Sequence, residues 1–172
     1  MEMVATKKTQ ETFTYKEALK ASIKYFNGDE LAATVWINKY ALKDANGNLY
    51  EKSPEDMHWR IANEIHRVEK KYKNPMSAEQ IFDTLKSFKY IVPQGSPMAG
   101  IGNTFQVASL SNCFVVGNDR IADSYGGIMK TDQEQVQLMK RRGGVGHDLS
   151  HIRPKGSEVK NSALTSTGLV PF

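Results

Sequence analysis

Ser109-Leu110-Ser111-Asn112-Cys113-Phe114-Val115-Val116 and, further on, Lys140-Arg141-Arg142-Gly143-Gly144-Val145-Gly146 are the stretches whose reading decides how this chain folds. The first predicts a strand at Asn112–Val116, short and continuously apolar at its end. Such a run fits a parallel strand covered on both faces. Between the two, Ile121–Met129 begins a helix, weakened by Gly126-Gly127, and Thr131-Asp132-Gln133-Glu134 caps a second one through Val136, Leu138 and Met139. The basic end Lys140-Arg141-Arg142 suits the negative pole of the helix dipole. Gly143-Gly144-Val145-Gly146 closes that helix as a turn. From about residue 98 onward the chain therefore reads as α/β.

Upstream the texture is helical. Thr14-Tyr15-Lys16-Glu17 is a capping box ahead of Ala18, Leu19, Ile23 and Phe26, and Asn27-Gly28 stops that helix. A second helix spans about Asp29 to Tyr40, followed by the turn cluster Asp44-Ala45-Asn46-Gly47-Asn48. Ser53-Pro54-Glu55-Asp56 opens a third, carrying Met57, Ile61, Ile65 and Val68, with His58 and His66 as surface or packing residues. Ser77-Ala78-Glu79-Gln80 caps a fourth that presents Ile81, Leu85 and Phe88. Pro93, Gly95, Pro97, Gly100 and Gly102 then mark an irregular segment. The organisation expected is a flexible lead at 1–13, a helical domain at 14–97 and an α/β region at 98–172.

Composition narrows the function classes. The 172 residues are 40% hydrophobic, enough for a core, and no apolar run reaches the length of a membrane span. A polar N-terminus offers no secretory signal, and the single cysteine, Cys113, excludes an internal disulfide framework, so a cytoplasmic protein is the default. Net charge is +4, but Lys and Arg are interleaved with Asp and Glu, as on solvated helix faces, so neither a membrane nor a nucleic-acid partner is expected.

Few residues carry chemistry unaided. The glycine cluster is neither a Walker motif nor a dinucleotide fingerprint, and a helix cap with a tight turn accounts for it. His147 and His151 would share a face only on a helix, which the flanking glycines and Arg153-Pro154 disfavour, so no metal site is expected. Cys113 reads either as a buried small hydrophobe or as a redox thiol whose partner lies elsewhere. Arg142, Arg153, Lys155 and Lys160, with Gly144 and the hydroxyl-rich stretch Ser162–Thr167, suit a phosphate.

Taken together and in order, these segments resemble the large, catalytic subunits of ribonucleotide reductases. Ser109–Val115 resembles the strand bearing the first redox cysteine. Gly143–Gly146, Ser150-His151-Ile152-Arg153-Pro154-Lys155-Gly156-Ser157 and Ser166-Thr167-Gly168-Leu169-Val170-Pro171-Phe172 follow it as in that family. Pro93-Gln94-Gly95-Ser96-Pro97-Met98 resembles the segment that meets the substrate phosphates. The resemblance covers nearly the whole chain from about Thr14.

The resemblance implies an N-terminal helical domain followed by the first strands and helices of a ten-stranded α/β barrel. It implies conversion of ribonucleotides to 2′-deoxyribonucleotides by thiyl-radical chemistry, with Cys113 as one of two reducing thiols and its partner on a later strand. Ser96, Asn112, Cys113 and Gly144 would line the substrate pocket. Asp123, Ser124, Arg153 and Lys160 would contact a deoxynucleotide or ATP effector at a dimer interface. The wording at Lys89–Ser96 and Arg141–Ser150 is most like adenosylcobalamin-dependent bacterial enzymes. A thioredoxin-type reductant and the remainder of the catalytic subunit would be partners. The radical-bearing cysteine, the partner thiol and the C-terminal cysteine pair are not among these residues, so the chain by itself is expected to be inactive. The segment ahead of the helical domain is too short for the family's ATP-binding cone. The competing reading is a stand-alone nucleotide-binding or interaction module built from the same segment.

Overall fold

A computed structural model describes residues 11–117 and 121–171. They form two compact units divided between Leu110 and Ser111. The expected lead lies outside the described residues as far as residue 10. Phe13, at its end, is tied down: its N–H donates to the Leu49 carbonyl at 2.9 Å.

The first unit is helical. Helices α1 (Tyr15–Tyr25), α2 (Glu30–Lys39), α3 (Pro54–Glu69) and α4 (Ala78–Leu85) lie where the sequence places its first four helices. Thr14 and Glu17 close a reciprocal cap, with the Glu17 carboxylate 2.8 Å from the Thr14 N–H. Ser77 and Gln80 do the same for α4. Asp29 caps α2 by accepting the Ala32 N–H at 2.8 Å. The core gathers Ala18, Trp36, Ile37, Met57, Ile61, Ile81, Phe82 and Leu85. Each large side chain fully withdrawn from water there contributes about 1.5–3 kcal/mol. Trp59 on α3 stacks on Phe82 of α4 with ring centroids 4.0 Å apart.

A short helix the sequence reading left irregular, α5 (Gly95–Gly100), also belongs to this unit. The division at Leu110–Ser111 thus falls later than the expected 97/98. The reason is Arg60 of α3, whose guanidinium donates to the carbonyls of Met98, at 2.8 Å, and Ile101.

The second unit is a parallel β-α-β arrangement of β1 (Cys113–Val116), α6 (Tyr125–Met139) and β2 (Gly144–His147). Cys113 pairs with Gly144, Phe114 with Val145, Val115 with Gly146 and Val116 with His147. Two expectations are corrected here. Residues 121–139 do not hold two helices: α6 is continuous through Thr131, and its cap is Ser124, whose Oγ accepts the Gly127 N–H at 3.1 Å. Gly127 is required, because a Cβ there would overlap the Ile121 carbonyl. Nor is Gly143–Gly146 only a turn. Arg142, at φ +69°, turns the chain beyond the end of α6, and Gly144-Val145-Gly146-His147 continues as a strand. A Cβ at Gly143 would sit 2.8 Å from the Phe114 ring and 3.1 Å from the Leu138 carbonyl oxygen. One at Gly144 would sit 3.2 Å from the Asn112 carbonyl oxygen. These glycines let β2 approach β1.

His58 on α3 is fully buried. Its ring meets Phe88 edge-on at 4.7 Å, its Nδ1 lies 3.5 Å from the Tyr25 hydroxyl, and its Nε2 has no hydrogen-bond partner among the described residues. Burial lowers its pKa from 6.5 to about 4. Below pH 6.5 the unfolded chain gains a proton here that the folded one refuses until about pH 4. Stability is therefore lost as pH falls through that window, by on the order of 3 kcal/mol. Urea unfolding from pH 7 to 4 should show this slope in the wild type. It should be absent in His58→Leu, whatever that variant's offset at pH 7.

Candidate functional site

The second unit carries two clusters of candidate residues. The first lies at the start of β1. The register sets Cys113 opposite Gly144, and the Gly144 N–H donates to the Asn112 carbonyl at 2.6 Å. A Cβ on Gly144 would stand 3.9 Å from the Cys113 Sγ, so the missing side chain leaves space beside the sulfur. Asn112, Cys113 and Gly144 are thus brought together by one backbone ladder. The thiol is exposed within this chain, on the same face of β1 as Val115. Ser96 belongs to the helical unit, buried in the first turn of α5.

The second cluster is a cavity of about 300 Å³ that brings together Asp123, Ser124, Arg153 and Lys160. Tyr125 and Ile128 of α6, with Ile152, Val159, Asn161 and the hydroxyl residues Thr165, Ser166 and Thr167, complete the wall. A short antiparallel pairing at Glu158 and Thr165 shapes one side, closed by the Ser166 N–H donating to the Ser157 carbonyl at 2.8 Å. Apolar side chains, hydroxyls and a lysine together line it, a mixture that suits a ligand with an apolar part and an anionic part.

The four candidates differ in what they have left to offer. The Asp123 carboxylate takes the Arg153 backbone N–H at 3.1 Å and its Nε at 2.6 Å, and a further Arg153 nitrogen donates to the Glu158 carbonyl at 2.9 Å. The Arg153 backbone N–H, with the guanidinium behind it, holds the Asp123 carboxyl below the usual carboxylate range. Ser124 donates its hydroxyl proton to the Ile121 carbonyl at 2.6 Å while capping α6. Asp123, Ser124 and Arg153 therefore build the wall, and Lys160 lines the same cavity. The sequence reading did not single out Tyr125, Ile128, Ile152, Val159 or Asn161. They lie on separate local segments, and only the turn at 154–166 assembles them.

Among the described residues no three His, Cys, Asp or Glu side chains are grouped to hold a metal ion. His147 ends β2 and His151 lies in the turn beyond it, so the two imidazoles share no helix face. Among the described residues no helix is long and apolar enough to cross a membrane.

Two family profiles match the chain in succession: the ribonucleotide reductase all-alpha domain over residues 26–103, and the ribonucleotide reductase barrel domain over 111–172. Similar proteins include the ribonucleoside-diphosphate reductase subunit alpha of Helicobacter pylori, 29% identical over 147 residues, which are 86% of this chain and 18% of that protein. The large chain from Neurospora crassa is 29% identical over 170 residues, 92% of this chain and 16% of its own. The large subunit from Monkeypox virus is 28% identical over 161 residues, 92% and 19% respectively. The chain thus spans less than a fifth of the length of these relatives.

Because Asp123 pins the Arg153 backbone, Asp123→Asn should loosen the cavity rim. Hydrogen exchange at pH 7 is expected to speed up across 152–167 and stay unchanged in α1–α4. The same loosening should appear in the wild type only below the ordinary carboxylate range, because the Arg153 contacts hold the Asp123 carboxyl below it and stability is lost as that carboxyl protonates.

Proposed function

Since this chain belongs to the ribonucleotide reductase large-subunit family, with its all-alpha domain followed by the start of the barrel domain, we propose that it supplies one reducing thiol and an effector pocket to a ribonucleoside-diphosphate reductase. The observation that carries the reading is Cys113 at the head of a parallel strand, exposed, with a glycine opposite. In the reaction a ribonucleotide and two thiols yield a deoxyribonucleotide, water and a disulfide. Cys113 gives one electron and one proton to the balance, and a cysteine on a later barrel strand gives the other. A thioredoxin-type dithiol then reduces the disulfide. The two cysteines can bridge only if their Cα atoms come within roughly 7 Å, which neighbouring barrel strands allow. The flanking Val115, 84% exposed on a two-stranded parallel sheet, supports further barrel strands and helices as the partner that covers it.

Asn112, Cys113 and Gly144 would border the ribose, and Ser96 would meet the substrate phosphates. The cavity at 123–167 would take the base and phosphates of an effector deoxynucleotide or ATP. At about 300 Å³ it is at the small end for such a ligand, consistent with a second subunit completing it in a homodimer. Adenosylcobalamin as radical source rests on the wording of Lys89–Ser96 and Arg141–Ser150. The same cavity is far too small for a corrinoid, so no residue of this chain is assigned to it and no step is derived through it.

In the complete catalytic subunit, Cys113→Ser should abolish multiple-turnover deoxyribonucleotide formation while leaving nucleotide binding intact. Wild-type turnover in that variant would end the redox assignment. The stand-alone module draws on one observation: the cavity is walled by this chain's own residues. Equilibrium dialysis of the 172-residue chain with dATP separates the two readings, submicromolar binding favouring the module. In either, Lys160→Ala should weaken dATP by about tenfold, the scale of one charge-assisted contact.

A further inference from the structure

Arg60 is the most heavily used buried cation of the helical unit, and no step above employs it. Its side chain is 9% exposed and that of its partner Glu51 is 3% exposed, with Nε and Oε1 2.6 Å apart. Glu51 is itself held by the Leu42 N–H, which donates to Oε2 at 2.8 Å. Burial raises the Glu51 carboxyl, and the Arg60 charge pulls it back. A buried pair of this kind costs desolvation that packing of apolar side chains would avoid. What it adds here is geometric: the two remaining guanidinium arms reach the Met98 and Ile101 carbonyls at the C-terminal end of α5.

The other carbonyls of that end are taken by Asn103. Its Nδ2 donates to the Ala99 carbonyl at 3.1 Å and its backbone N–H to the Gly100 carbonyl at 3.1 Å. Its Oδ1 meanwhile accepts the Phe105 and Gln106 N–H groups. Gly102, at φ +72°, makes the turn, and a Cβ there would stand 2.9 Å from Arg60 Cγ. At the opposite end, a Cβ on Gly95 would come 3.2 Å from the Tyr40 ring, so that ring lies against the backbone next to Ser96. A six-residue helix has too few internal hydrogen bonds to fix its own direction. Here four consecutive carbonyls are satisfied from outside by two side chains and a turn.

We infer that Arg60, anchored by Glu51 and assisted by Asn103, is a positioning residue that sets the placement of the Ser96 segment for the phosphates of a ribonucleoside diphosphate. This rests on the assignment of Ser96 made above. Arginine is required for its fork: lysine keeps the charge opposite Glu51 but cannot reach two carbonyls at once. The consequence is a division of effects. Substrate binding depends on the carbonyl contacts, whereas folding suffers only when one charge of the pair is removed and the other is left buried and unpaired.

The test measures KM and kcat for CDP reduction, and the melting temperature, in the complete catalytic subunit carrying Arg60→Lys or Asn103→Asp. The first keeps the ion pair and the second keeps the Oδ1 acceptor. Both should melt close to the wild type, raise KM for CDP by about tenfold and leave kcat within about threefold, the loss expected for charged or paired hydrogen bonds to a positioning backbone. Should Arg60→Lys not fold, Asn103→Asp decides by the same criterion. Unchanged KM, or a fall in kcat alone, overturns the inference while leaving the reductase reading intact. A wild-type subunit that fails to bind CDP overturns the diphosphate-reductase reading itself, and the inference falls with it.

Discussion

The close approach of two backbones at Gly143–Gly144 and Asn112–Phe114 is the constraint on which the second unit depends. Any side chain at Gly143 would strike the Phe114 ring, and one at Gly144 would crowd the Asn112 carbonyl. With those positions bare, β2 enters parallel to β1, and α6 serves as the crossover that parallel pairing demands. The same ladder orders the chemistry. It sets Cys113 at the first rung, places a glycine opposite, and joins Asn112 to Gly144 through one short hydrogen bond.

The two units are stabilised by different means. The helical unit closes an apolar core among α1–α4 and tolerates within it a neutral histidine and a glutamate–arginine pair. The β-α-β unit buries little: Val115, Val136 and Met139 all stay largely exposed. A two-stranded parallel sheet cannot cover both its faces, so the family's barrel is the natural completion of this unit. The cavity at 123–167 is held by polar contacts instead, chiefly Asp123 gripping both the backbone and the side chain of Arg153. Three of the four residues expected to meet a ligand thus hold the cavity's own walls together.

Strain marks the positions where tertiary demands override local preference. Ser87 and Phe88 both adopt positive φ, 56° and 54°. The Ser87 N–H reaches the Tyr25 hydroxyl at 3.0 Å, and the Phe88 ring packs against His58 and Phe26. Neither residue favours that backbone region by itself. The contacts hold them there and complete the enclosure that keeps His58 neutral.

The sequence by itself determined what short-range physics controls. Capping residues at Thr14, Ser53 and Ser77 and the apolar spacing behind them located three helices, and the stretch from Asp29 to Tyr40 marked another. The apolar run after Cys113 located the first strand, and the order of motifs from Pro93 to Pro171 placed the chain in its family. Tertiary structure alone decided the rest. Gly126-Gly127 and Gly143–Gly146 read locally as breaks. Their meaning lies in which backbone comes near, the Ile121 carbonyl in one case and strand β1 in the other. Helix α5 was invisible because its carbonyls are satisfied by Arg60 and Asn103 from outside its own span. The burial of His58 and the convergence of Asp123 with Arg153 are likewise pairings across thirty residues or so, and local sequence carries no record of such distances.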